Sequence, residues 1–237
     1  MKRQVVIILG TAHLATTPGK QSPDRRLREP FYSREIVKDI YSILTGYGYT
    51  VYIDYMPTEP NARMKGRDAD DQQSKELRWR VERVKEICAR HIAADCIYVS
   101  LHVDAAGMGT KWMTAGGFTV WTSKGQTRGD LLAECIYDAA DKNLVNYKRQ
   151  MEEGKKLGWY DKKQQPMRTD TSDGDRDREA DFYVLRKTPC PACLVEMMFQ
   201  DNEHDVDYLL SEEGQWELVR TIHEGILLYN QRYIEKE

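Results

Sequence analysis

Short apolar runs alternate with amphipathic segments along the chain. Residues 5–9 and 96–101 are nearly continuous apolar runs rich in β-branched and aromatic side chains, which is typical of strands buried on both faces. Between them, apolar side chains recur at helical spacing over residues 35–45 and again over 77–92. Strands joined by helices in this way predict right-handed crossovers and a parallel sheet.

The same pattern continues to the carboxyl-terminal end. Further strands are predicted at residues 50–53, 117–121, 182–185 and 192–195, a helix at 131–144, and a last helix with Trp216, Val219, Ile222 and Ile226 on one side. Loops are predicted at 10–28, 57–73 and 105–117, and residues 148–180 give the weakest pattern. No repeat or linker divides the chain. The sequence therefore predicts an α/β fold: a single domain over residues 1–237, with a twisted, mostly parallel sheet and helices on both faces.

Composition excludes several classes of protein. The chain has 41% hydrophobic and 31% charged residues and a net charge of -3, so we expect neither nucleic-acid binding nor attraction to an anionic membrane. No segment has the length of a membrane span. Met1, Lys2 and Arg3 precede an apolar run, but residues 5–9 are shorter than the core of a signal peptide. We therefore expect cytoplasmic synthesis without a recognisable signal peptide.

The cysteines are few and lie within predicted helices and strands. There are five of them, an odd number, which favours core thiols in a reducing compartment over a disulfide framework. Cys190 and Cys193 form one C-x-x-C motif without a second pair, so packing is favoured over a redox or metal role.

An acid-rich stretch spans residues 170–177, with the sequence DTSDGDRD. Its spacing fails the calcium-binding EF-hand loop, which needs acids at alternate positions before the glycine and a glutamate further on. We expect a solvated loop instead.

Three predicted strands end in polar residues of the metal-binding or acid–base type. His13 follows residues 5–9, His102 follows 96–101, and Glu196 follows 192–195. Open α/β sheets collect ligands at such strand ends. Two histidines and a carboxylate can hold a zinc ion with one position left for water, and a second carboxylate can act as the base for amide hydrolysis. From chemistry alone, two histidines at strand ends are also compatible with structural roles.

Motifs over nearly the whole chain favour the zinc site over structural roles for the two histidines. They are Leu9-Gly10-Thr11-Ala12-His13, Gly48-Tyr49-Thr50-Val51, Ser100-Leu101-His102-Val103-Asp104-Ala105, Gly117-Phe118-Thr119-Val120, Val184-Leu185-Arg186 and Pro191-Ala192-Cys193-Leu194-Val195-Glu196. In order and spacing they resemble the zinc-dependent N-acetylmuramoyl-L-alanine amidases of the bacterial cell wall, the amidase_3 family.

The resemblance implies roles for individual residues. His13 and His102 correspond to zinc ligands, and Glu196 to the catalytic base. Two glutamates compete for the third ligand position. Glu29 stands nineteen residues before Gly48, which is the family's register, whereas Glu35 suits the first turn of a helix, where the dipole favours a negative charge. We expect Glu29 to be the ligand.

The chain also departs from the family pattern. The usual Gly-His-Gly-Gly is Ala12-His13-Leu14-Ala15 here, and Met197 follows Glu196 where the family has glycine. These differences bear on substrate selectivity more than on the metal site.

Taken together, the resemblance implies a zinc-dependent peptidoglycan hydrolase that cleaves the amide between N-acetylmuramic acid and L-alanine of the stem peptide. A phage or prophage endolysin, released by a separate pore former, fits a chain without a recognised export signal or wall-binding module. Two alternatives stay open: a zinc peptidase that cuts within the stem peptide, and a non-catalytic cell-wall-binding module.

Overall fold

A computed structural model describes residues 5–235; Met1, Lys2 and Arg3, the charged flank of the apolar run, lie outside these residues. The described part contains six strands: β1 (Val6–Thr11), β2 (Val51–Ile53), β3 (Cys96–Asp104), β4 (Thr119–Thr122), β5 (Arg178–Glu179) and β6 (Ala192–Phe199). It contains seven helices: α1 (Glu29–Gly46), α2 (Ala69–Arg90), α3 (Arg128–Asn143), α4 (Val145–Leu157), α5 (Tyr183–Lys187), α6 (Glu203–Leu210) and α7 (Glu212–Tyr233).

The strands form one sheet in the order β2-β1-β3-β6-β4-β5. β2, β1, β3 and β6 run parallel to one another, whereas β4 is antiparallel to β6 and parallel to β5. The expected mostly parallel sheet is therefore confirmed, with two strands at one edge, β4 and β5, running in the opposite direction.

Helices cover both faces of the sheet, as expected. Alternate residues of β1 point to opposite faces. Ile7 and Leu9 belong to a core shared with α1, α3 and α7. Ile8 belongs to a second core, with Val84 of α2 and Leu185 of α5. Burial of β1 on both sides explains why its sequence is a continuous apolar run.

One predicted strand is wrong. Residues 182–185 do not join the sheet, because Tyr183–Lys187 form the short helix α5. A short apolar run has the same appearance in a buried strand and in one turn of a buried helix. The outer position next to β4 is instead taken by Arg178–Glu179, a two-residue strand too short to give a period.

Several elements extend beyond their predicted bounds. α1 begins at Glu29, six residues before the apolar stripe, with Pro30 in its first turn. α2 begins at Ala69, capped by the Asp68 side chain. β3 and β6 also run past their apolar cores, so His102 and Glu196 lie within strands and are paired in register.

Two helical stripes extend too far in the prediction. Ile92 is 92% exposed and lies beyond α2, while Trp216 is 57% exposed although Val219, Ile222 and Ile226 on the same helix are buried. Both residues match the helical spacing of the apolar side chains, but they lie near or beyond a helix end and do not face the core.

All five cysteines lie in one of the two cores or pack against it. All five cysteines are free thiols, and Cys193 is fully buried in the main core while Cys190 packs against the second core. Among the helices within residues 5–235, none combines the length and apolarity that crossing a bilayer requires.

Candidate metal centre

Three of the residues singled out from the sequence meet at one edge of the sheet. His13 follows β1, and His102 and Glu196 lie near the carboxyl ends of β3 and β6. These strands are parallel, so their carboxyl ends share an edge. Together they line a cavity of about 290 Å³. The other residues lining it are Thr11, Lys20, Gln73, Glu76, Leu77, Arg80, Ser100, Phe182, Tyr183, Val184 and Leu194.

Glu29 joins the two histidines from the first turn of α1. Its Oε1 atom lies 3.0 Å from His102 Nδ1 and 3.7 Å from His13 Nε2. The two imidazole rings are 5.0 Å apart between centroids and nearly perpendicular. One ligand-type atom from each residue lies within 4.8 Å of the others. Two imidazoles and a carboxylate thus face a common point.

Glu35 does not take part in this cluster. It is exposed and is the seventh residue of α1, whereas Glu29 is the first and is 1% exposed. Because α1 begins before its apolar stripe, its first residue, Glu29, faces the sheet, whereas Glu35 in the second turn faces solvent.

Burial and mutual charge set the protonation of the cluster. Burial lowers the pKa of His13 to about 3, so its imidazole is neutral at physiological pH and has a free lone pair. Burial alone would raise the pKa of Glu29, but His13, the hydrogen bond with His102 and Lys20 lower it to about 2. Two histidines and one ionised carboxylate are a donor set that catalytic zinc sites commonly use.

The carboxylate of Glu29 has a spare ligand atom. Oε1 also accepts a hydrogen bond from the Val103 amide at 3.1 Å, whereas the buried Oε2 has no hydrogen-bond partner. The ammonium of Lys20 lies 3.7 Å from Oε2, and Lys20 remains partly exposed. A buried carboxylate oxygen without a hydrogen bond is costly unless a cation compensates it, so these residues fit a divalent metal ion.

Glu196 of β6 is paired in register with His102 of the adjacent strand β3 and does not belong to the three-residue cluster. It is half-buried, and its buried Oε2 atom has no hydrogen-bond partner. Burial raises its pKa well above the usual range, and the negative charges of Asp104 and Glu29 raise it further. A carboxyl group whose proton affinity is raised in this way is suited to accept and return a proton.

The turn that carries His13 is held by residues that the sequence did not point to. His13 has a φ of 35°, a left-handed conformation that costs energy for a residue other than glycine. Arg34 of α1 donates to the carbonyls of His13 and Ala12 at 3.0 and 2.7 Å. The Ser33 hydroxyl accepts from the Ala12 amide and donates to the carbonyl of Leu101. These contacts fix the turn in a chain that lacks the usual glycines.

A second arginine lies below this turn in a buried ionic network. Arg80 of α2 contacts Asp54 at 2.7 Å and Glu76 at 2.9 Å, and all three side chains are at most 3% exposed. Asp54 also accepts from the amide of Thr11 and the hydroxyl of Tyr98. The network ties α2 to the end of β1 just before His13.

Replacing Arg80 with methionine should destabilise the protein by about 3 to 5 kcal/mol, because two buried carboxylates lose their positive partner. Urea unfolding followed by circular dichroism measures the change. Arg83→Met is the matched control on the same helix: Arg83 reaches the half-exposed Glu86 at 3.5 Å, and such surface pairs contribute below about 1 kcal/mol. Equal losses in the two variants would contradict the role of the network.

Solved structures of other proteins share this fold. An amidase of Clostridium difficile 630 has a TM-score of 0.66 and 20% identity, covering 98% of this chain and 100% of that chain. AmiC2 of Nostoc punctiforme has a TM-score of 0.65 and 22% identity, covering 98% and 100%. The catalytic domain of the CD27L endolysin targeting Clostridia difficile has a TM-score of 0.60 and 16% identity, covering 95% and 97%.

Sequence comparison extends the likeness beyond the fold. No curated protein matches the chain at a significant level. The model of the amidase_3 family, described as N-acetylmuramoyl-L-alanine amidase, matches residues 6–227. That range includes every strand of the sheet and all four residues of the candidate site. The protein therefore belongs to the N-acetylmuramoyl-L-alanine amidase family.

Proposed function

We propose that this protein is a zinc-dependent hydrolase that cleaves the amide between N-acetylmuramic acid and L-alanine of the peptidoglycan stem peptide. The observation that carries the proposal is that ligand-type atoms of His13, Glu29 and His102 lie within 4.8 Å of one another at the edge of the sheet. The family to which the chain belongs is described by its hydrolysis of this amide bond. In this proposal those three residues hold the zinc ion. When bound there, zinc supplies a Lewis acid that polarises a carbonyl group and lowers the pKa of water.

Glu196 is the proposed acid–base residue. Its carboxyl group lines the cavity and keeps an oxygen without a hydrogen-bond partner. In amide hydrolysis the attacking water must lose a proton and the leaving nitrogen must gain one. Glu196 takes the first proton and returns it to the L-alanine nitrogen, so that the amide bond breaks to a free carboxylate and a free amine.

Other cavity residues are proposed to position the substrate. Phe182, which is 37% exposed, and Tyr183 line the cavity with apolar surface, and Lys20 adds a partly exposed positive charge. Such a combination suits a chain of sugar and peptide units that bears carboxylates.

Mass spectrometry of the products from purified peptidoglycan tests the reaction. The proposal expects intact stem peptides with a free L-alanine amino group, and glycan strands that keep the lactyl carboxylate. Glycan strands that keep shortened stem peptides attached to N-acetylmuramic acid would support the zinc peptidase instead. Binding to walls without any release, with or without added zinc, would support the non-catalytic module.

The choice between the two glutamates can be tested directly. Glu29→Gln should weaken zinc binding by at least about 100-fold, since even residues that only support a ligand are worth 10- to 100-fold. Glu35→Gln, an exposed carboxylate of the same helix, should bind zinc as the wild type does. Competition with a chromophoric chelator measures both affinities. Normal binding by the Glu29 variant would remove this residue from the proposed ligand set.

We further propose that the protein acts as a phage or prophage endolysin. The likeness to the CD27L endolysin catalytic domain supports this role. Expression in the cytoplasm of a bacterium whose wall the enzyme cleaves should be harmless until a separate membrane pore is induced. Lysis or wall turnover without the pore would favour an exported amidase of the host.

A further inference from the structure

Two aspartates on the far side of β4 form a buried pair that the proposed reaction does not use. Asp177, directly before β5, is 2% exposed, and Asp175 is half-buried. The Oδ1 atoms of both residues are buried and lack a hydrogen-bond partner. Neither residue lines the cavity that contains His13 and His102. The solvated loop expected for residues 170–177 is therefore wrong at its carboxyl-terminal end.

Few neutral donors compensate this pair. Asp177 Oδ2 accepts a hydrogen bond from the Thr122 hydroxyl at the end of β4. Within residues 5–235, Asp175 Oδ2 accepts one long contact, of 3.5 Å, from the Gln126 amide. The two carboxyl groups are within hydrogen-bonding reach of each other, and Asp130 of α3 adds a third negative charge nearby.

The neighbouring arginines are engaged elsewhere. Arg176, between the two aspartates, turns to α3 and contacts Glu134 at 2.8 Å and Asp141 at 2.9 Å. Arg178 stacks over the ring of Trp121 at 4.8 Å. Among residues 5–235, no basic side chain pairs with Asp175 or Asp177 within 4.0 Å. Two adjacent carboxylates without a counter-charge are strongly unfavourable when buried.

We propose that Asp175 and Asp177 bind a hard divalent cation of the calcium type, which joins the loop after α4 to the β4 edge of the sheet. Calcium takes oxygen ligands from carboxylates, backbone carbonyls and water, and the two free Oδ1 atoms supply the charged part of such a set. The inference is independent of the proposed amidase reaction.

A shared proton is the competing way to neutralise the pair. Without a cation, burial and the neighbouring Asp175 raise the pKa of Asp177 to about 7. Once that proton is lost, a bound cation would offset the charge of the pair. An acid pair would show no response to calcium, whereas a cation site gains stability, because a ligand that binds only the folded state stabilises it.

Calorimetric titration with calcium chloride at pH 8, on the full chain saturated with zinc, tests the proposal. We expect one saturable site with a Kd on the order of 10⁻⁴ to 10⁻³ M, as in extracellular calcium modules. Asp175→Asn and Asp177→Asn should each weaken binding at least about tenfold. Asp173→Asn removes an exposed carboxylate of the same loop and should bind as the wild type does.

Thermal unfolding provides the second measurement. Calcium at 10 times the measured Kd should raise the Tm of the wild type and of Asp173→Asn, but not of Asp175→Asn. The Asp175 variant keeps the test valid if Asp177→Asn fails to fold, because Asp175 is the less buried of the two residues. Absence of calcium binding by the wild type, or equal binding by the Asp175 and Asp173 variants, would overturn the proposal. A wild type that ignores calcium and an Asp177→Asn variant of unchanged or higher stability would identify the pair as a protonated acid pair.

Discussion

Glu196→Gln should lose cell-wall cleavage by about two to four orders of magnitude, the range that general acid–base groups contribute, while keeping its fold and its zinc. Glutamine has nearly the same shape, but its amide neither accepts a proton from water nor donates one to the leaving nitrogen. Burial and the charges of Asp104 and Glu29 raise the pKa of Glu196, so removing its ionisable group should not destabilise the fold.

Loss of turbidity of purified cell walls measures the rate, and metal analysis of the same sample measures bound zinc. Glu203→Gln is the matched control, because Glu203 is an exposed carboxylate at the start of α6, shortly after the same strand. A Glu196→Gln enzyme with more than about a tenth of the wild-type rate would contradict the assignment of the acid–base role.

His102→Ala should lose both zinc and activity. His102 lies 3.0 Å from Glu29 and packs edge-to-face with His13, so its removal takes away one of the three proposed ligands and disturbs the other two. Since residues that merely orient a ligand are worth 10- to 100-fold in metal affinity, we expect a loss beyond about 100-fold. Activity should fall to the background of the assay.

Chelation separates this prediction from a simple folding defect. The chelated wild type should regain its rate when zinc is added, whereas chelated His102→Ala should not. His91→Ala is a matched control, because His91 contacts the Tyr52 hydroxyl at 2.9 Å away from the metal centre and should recover like the wild type. Full recovery of the His102 variant at equal zinc would show that this imidazole is not a ligand.

The site could be predicted from the sequence where its residues follow strands. Apolar runs indicate β1, β3 and β6, with β-branched residues most frequent in β1, and parallel strands bring their carboxyl ends together. His13, His102 and Glu196 were therefore predicted to meet at one edge, and they do. The fold class is confirmed by the structure and its likeness to solved amidases, and the family resemblance by the match to the family model.

The supporting residues could not be predicted in this way. Arg34 and Arg80 are at most 4% exposed, yet an arginine in an amphipathic helix is expected on the solvent side. Arg34 is buried because it binds the carbonyls of the His13 turn, and Arg80 because it binds the buried Asp54. Neither partner can be inferred from the spacing of apolar residues in the sequence. The same limit applies to Asp177, which looks like any acid in a polar loop.

X-ray anomalous scattering at the zinc absorption edge, from crystals grown with zinc, tests the central claim most directly. We predict a single strong peak at bonding distance from the side chains of His13, Glu29 and His102. A crystal with these three side chains ordered but the peak elsewhere, or with no peak at saturating zinc, would contradict the account.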